Sequence, residues 1–129
     1  MKYAFTIYGD ESRRASASEE DLLAVSQAYG AVTQEMNEKG VFVAGDGLYP
    51  TQTATTVRVR EGDRDVTDGP FAETKEQLGG FYALECKDLD EALAWAAKIP
   101  EAKFGAVEVR PVIDYAALEG APSGAEATA

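Results

Sequence analysis

Two apolar stripes of helical period, each enclosed by segments that alternate every second residue, restrict this chain to a few arrangements. Tyr3, Phe5 and Ile7 alternate with Lys2, Ala4, Thr6 and Tyr8, which predicts a strand with one bulky apolar face and one mixed face. Gly9 to Ala17 is polar and serine-rich and reads as a loop. Ser18 followed by Asp21 has the spacing of a capping box, which starts a helix by satisfying free backbone N–H groups. Leu22, Val25, Tyr29, Val32 and Met36 then recur every three or four residues, one stripe on a helix of roughly five or six turns. Gly40 is placed to end it in the left-handed conformation.

A short apolar strand, Val41 to Ala44, follows and is broken or bulged at Gly45-Asp46-Gly47. Thr53 to Arg60 alternates, with Thr55, Val57 and Val59 on one side and Arg58 and Arg60, read as solvated, on the other. Glu61-Gly62-Asp63 is a turn signal, and Arg64 to Thr67 returns to make a hairpin. Phe81 to Cys86 is the most apolar segment and is expected to be a central strand. Asp88 with Glu91 caps a second helix, on which Leu89, Ala92, Leu93 and Ala96 form the predicted buried stripe with Trp95 at its margin. Pro100 stops that helix. Ala106 to Ile113 is the last strand, with Val107, Val109 and Ile113 sharing a face and Glu108 and Arg110 on the other.

The order is β-α-β, a hairpin, then β-α-β. The predicted fold class is therefore α+β, a ferredoxin-like βαββαβ pattern with an inserted β-hairpin. Right-handed crossovers put both helices on one face of the sheet. The opposite face, with Ala4, Thr6, Tyr8, Glu108 and Arg110, receives no helix, and its mixed composition predicts a homodimer packed sheet to sheet with polar residues lining the cleft. Residues 1–115 make one domain, and 116–129, rich in small residues, is expected to be a flexible C-terminal tail.

Composition removes several functions. The chain has 129 residues and a formal charge of -11, with Lys+Arg 12 against Asp+Glu 23. That balance argues against direct binding to nucleic acid, which needs clustered Lys and Arg, and against anionic membrane surfaces. No stretch approaches the roughly 18 apolar residues of a membrane helix, and the N-terminus does not have the form of a signal peptide, so a cytoplasmic protein is expected. The single cysteine, Cys86, forbids an intrachain disulfide. The histidine count is zero, which removes Ser-His-Asp and Cys-His catalysis and imidazole metal ligands. No carboxylate spacing supports a metal site, and no cofactor fingerprint is present: Gly45-x-Gly47 lacks a GxGxxG continuation.

Val66 to Glu85 reads VTDGPFAETKEQLGGFYALE: a turn at Asp68-Gly69-Pro70-Phe71, a charged link, and Gly79-Gly80 before the apolar strand. This stretch resembles the signature of the bacterial DGPF proteins, a branch of the YCII-related family. MKYAFTIYGDE at the start, GLYPTQTATTVRVREG, LDEALAWAAKIP and GAVEVRPV resemble the same family. The resemblance implies a dimeric α+β barrel. Some YCII-like proteins carry a His–Asp pair in a cleft, which a chain without histidine lacks. DGPF proteins are often encoded beside extracytoplasmic-function sigma factors, which implies a sigma-factor association and a regulatory role.

Asp68 reads first as a turn residue capping its own backbone, with Gly69 at positive φ. Its chemical reading is a general acid or base, if it lies buried near Glu108. Glu73 and Lys75 belong to a surface link that, folded over the cleft, would offer Lys75 as an anion hook. Glu108 and Arg110, two apart on a strand, point the same way, either as a salt-bridged pair or with Arg110 holding a small carboxylate. Tyr8 shares their face and supplies a hydroxyl. Asp68 and Glu108 are thus the catalytic candidates, and Tyr8, Glu73, Lys75 and Arg110 the ligand-binding ones. Three functions fit: a dimeric module binding a small anionic ligand or acting in regulation, a cofactor-free enzyme on a small organic acid, and a structural partner of a sigma factor. The first ranks highest because no residue set completes a catalytic constellation.

Overall fold

Alternation in the first strand sets the inside of the molecule. In the computed structural model, which describes residues 1–118, Tyr3, Phe5 and Ile7 are buried at 6%, 0% and 6% exposure. The chain is α+β, with β1 (Lys2–Gly9), α1 (Glu11–Ala15), α2 (Glu19–Glu38), β2 (Phe42–Gly47), β3 (Thr55–Arg60), β4 (Asp63–Asp68), β5 (Gln77–Glu85), α3 (Leu89–Lys98) and β6 (Ala106–Pro111). An antiparallel four-stranded sheet runs in the order β2-β5-β1-β6, and β3 with β4 makes a separate antiparallel pair. Both β1 and β5 are central. Without α1 and the hairpin, the element order is βαββαβ.

Both long helices cover the same side of the sheet. Val32 and Met36 of α2 and Ala92, Trp95 and Ala96 of α3 join Tyr3, Phe5, Ile7, Tyr82 and Leu84 in one buried cluster. The caps form as the spacing predicts. Asp21 N–H donates to Ser18 Oγ at 3.1 Å, and Glu91 N–H to Asp88 Oδ1 at 2.9 Å. The Glu91 carboxylate also accepts from Lys87 N–H at 2.8 Å, so the second helix start is held from both directions. Gly40 takes φ +72° past the end of α2.

Four details differ from expectation, each for a physical reason. Residues 9–17 are not all loop: Asp10 accepts from Ser12 N–H at 2.9 Å and nucleates the short helix α1. The glycines of Gly45-Asp46-Gly47 do not break β2. The strand continues through them against β5, and the extra, unpaired residue is Val43. Gly79 is the corresponding bulge residue of β5, facing the Ile7/Tyr8 step of β1. On α3 the buried stripe is Ala92, Trp95 and Ala96, continued by Ile99 just past its end, while Leu89 and Leu93 are exposed at 49% and 47%. The alanines let the helix approach the sheet, and the indole fills the space that remains. Ile113 lies beyond β6, which ends at Pro111, and is exposed rather than aligned with Val107 and Val109.

Burial along α2 fades toward its start. Val32 and Met36 are buried, Val25 and Tyr29 half-buried, and Leu22 exposed. A helix of 20 residues is about 30 Å long and outruns the six-residue strand β2. Among the described residues no helix is long and apolar enough to cross a membrane. The expected tail falls largely on residues 119–129, which lie outside the described residues.

Candidate functional site

The sequence candidates divide into two groups. Strand registers place the first on the face that carries no helix. Across that face, Arg110, Ala4, Ala83 and Ala44 form one row, and Glu108, Thr6, Phe81 and Asp46 the next. Ala106, Tyr8 and Leu78 begin a third. Tyr8, Glu108 and Arg110 therefore share one surface, as their parity predicts. Thr6 Oγ1 donates to Glu108 Oε1 at 3.5 Å, a long hydrogen bond between neighbouring strands. Among the described residues, no ion pair within the chain engages Arg110. Its guanidinium keeps its donors on an open surface, in the row next to Thr6 and Glu108 and two rows from Tyr8.

The second group surrounds the loop between β4 and β5. Asp68 ends β4, opposite Thr55, and is exposed. Its carboxylate accepts no hydrogen bond from the turn among the described residues. Gly69, at φ +103°, donates N–H to Ala54 O at 2.7 Å, and Thr56 Oγ1 donates to Gly69 O at 2.8 Å. Backbone and a threonine hold the turn, in place of the Asp68 cap the dipeptide suggests. Within one chain, Asp68 and Glu108 are both exposed and belong to different sheets, so neither buries the other. Glu73 lines a shallow cleft of about 380 Å³ with Thr51, Gln52, Pro70, Thr74 and Gln77. Lys75 is exposed and lies near the start of α1. There the hydroxyl and N–H of Ser12 hold the Asp10 carboxyl below its ordinary range, and Arg13 and Lys75 add to the effect.

Two side chains fasten this region to the sheet: Gln77 holds the β4–β5 loop, and Glu11 holds the segment before β3. The Glu11 carboxylate accepts from Thr51 N–H at 2.7 Å and Thr51 Oγ1 at 2.8 Å, and its own N–H donates to Gln77 Oε1 at 3.0 Å. Gln77 in turn donates to Thr74 O at 2.5 Å and pairs with Gly9 at the end of β1. Three separate segments are tied through two side chains. The one sequence signal for Glu11 is a carboxylate beside Asp10 directly after a strand, which reads equally as a loop. Nearby, Arg13 pairs with Glu101 and lies 4.6 Å over the Phe104 ring, locking α1 against the segment after α3. Tyr29 sits close by, and burial, with the Glu101 charge, pushes its hydroxyl above the ordinary range.

Among the described residues no group of acidic or thiol side chains is placed to hold a metal ion. Cys86 is buried, and that burial raises its thiol, so it acts as a core residue rather than a nucleophile.

An α+β fold with one sheet face of mixed polarity that carries no helix, beside a charged loop held by Gln77, is the class these features define. The model of the YCII-related domain matches residues 1–116, and the chain belongs to that family. It is 43% identical to an uncharacterized protein of Rhizobium meliloti (strain 1021), over 89% of this chain and 94% of that one.

Proposed function

We propose that the chain is a dimeric binding module for a small carboxylate, held between two copies of the open sheet face. Two ferredoxin-like sheets stacked this way form a dimeric α+β barrel. The observation that carries the reading is Arg110, a guanidinium without an ion-pair partner among the described residues, on a face shared with Tyr8, Thr6 and Glu108. A planar fork of donors suits a carboxylate held by two hydrogen bonds. Tyr8 and Thr6 add hydroxyls, and Glu108, beside the guanidinium, disfavours dianions and selects for ligands that also carry a donor. Lys75 and Glu73 are assigned to the rim of this cleft, on the loop whose Thr74 carbonyl Gln77 holds. Asp68, exposed on the hairpin, is left outside this binding set.

The same geometry supports binding over turnover. A general acid or base needs a carboxyl with a shifted proton affinity beside a reacting atom. Neither Asp68 nor Glu108 is buried in one chain. The test is thermal shift against a panel of small mono- and hydroxycarboxylates. At least one acid raises the melting temperature of the wild type in a concentration-dependent way and leaves Arg110→Ala unmoved, because a ligand stabilises only the state it binds. No shift with any acid, or an equal shift in the variant, contradicts the reading.

A further inference from the structure

The β3–β4 hairpin has one finished face and one unfinished face. On the finished face the register sets Arg58 opposite Asp65, Arg60 opposite Asp63 and Thr56 opposite Thr67. Charges of opposite sign face each other, and Arg58 also lies 4.9 Å over the Phe71 ring. Nothing on this side calls for a partner. The other face sets Val57 opposite Val66, Val59 opposite Arg64 and Thr55 opposite Asp68. Its valines are exposed at 57%, 59% and 49%. A two-stranded ribbon is marginally stable alone and needs its apolar side covered. Among the described residues the chain leaves that side open.

We propose that this face is covered by the same hairpin of a second copy, packed face to face and antiparallel about a twofold axis. Charge placement argues for self-association. The cation Arg64 stands near the turn and the anion Asp68 at the base, four residues along the strand or roughly 13 Å apart. A twofold axis through the Val57–Val66 pair stacks valine on valine and brings Arg64 of each copy to Asp68 of the other, twice by symmetry. The hairpin as a whole is close to neutral, whereas the chain carries -11, so it is a surface on which two copies approach with little repulsion. This contact goes beyond the sheet-face pairing proposed above and uses its own axis. Where both form, the assembly is a dimer of dimers.

Sedimentation velocity on Ala83→Lys, which blocks the sheet face, isolates the hairpin contact. In that background the chain is expected to remain a dimer. Adding Val57→Asp makes it monomeric. Adding Arg64→Asp or Asp68→Arg alone weakens association by about tenfold or more, and adding both restores it. The substituted hairpin side chains are exposed, and the emission of the single tryptophan checks that each variant is folded. A monomeric Ala83→Lys protein overturns the hairpin contact while leaving the sheet contact standing. Single reversals that weaken association without rescue in the double variant overturn the antiparallel pairing.

Discussion

Gly45 shows how much one side chain decides. A Cβ at Gly45 would lie 2.6 Å from the Tyr82 ring, on the side of the sheet that the helices cover. That ring is fixed from beyond, because Tyr82 Oη and Thr33 Oγ1 share a hydrogen bond of 2.7 Å. Gly45→Ala is therefore expected to push the ring aside and to lower stability by about 1–3 kcal/mol in chemical denaturation. Asp10 gives a pH-dependent counterpart. Ser12 holds its carboxyl below the ordinary value of 3.8, so the folded state binds that proton less readily than the unfolded one. The contribution of this cap is fully present above that value and is lost as pH falls through the depressed one. Amide exchange in α1 should accelerate in acid beyond the trend of α2, and Asp10→Asn should flatten the difference. The sequence made Tyr8, Glu108 and Arg110 legible because strand parity alone puts them on one face. Glu11 and Gln77 were illegible. Their partners lie 40 and 66 residues away, and no periodicity encodes contacts of that range.

The elements were legible in type and order, and less so in which side each one buries. On α3, Leu89 and Leu93 outweigh Trp95 as apolar signals in a helical stripe, yet the sheet receives Ala92, Trp95 and Ala96, continued by Ile99 just past the helix end. Packing distance made the choice, since small residues at Ala92 and Ala96 bring the axis close enough for the indole to reach inward. Lys98, 4.9 Å over the Trp95 ring, then covers its outer edge. Trp95→Ala is expected to cost about 3–5 kcal/mol, whereas Leu93→Ser costs less than about 1 kcal/mol. Equilibrium denaturation separates the two, and equal losses would mean that the helix presents the other face. The 9–17 segment was illegible for another reason. A five-residue helix has too few turns for a stripe, and only the Asp10 cap marks it.

At the scale of the molecule, helices on one side of the four-stranded sheet leave the other side to solvent or to a second copy. Its rows are suited to close packing: Ala4, Ala83 and Ala44 lie side by side at the centre, with Phe81 and Thr6 in the next row. Small residues let a second sheet approach to about 10 Å, and Glu108 beside Arg110 can meet the reverse order across a twofold axis. Family membership is uninformative about chemistry here, since the Rhizobium meliloti relative carries no activity in its name. The open face thus bears the weight of the functional reading, and Ala83 stands at its middle. The decisive measurement is the solution mass of wild-type protein and of Ala83→Lys by light scattering at micromolar concentration. Wild-type protein should have a mass that is a multiple of two chains, and Ala83→Lys should halve it while its tryptophan emission stays unchanged. A monomeric wild type, or a variant of unchanged mass, would contradict the pairing of the sheet faces and the ligand cleft built on it.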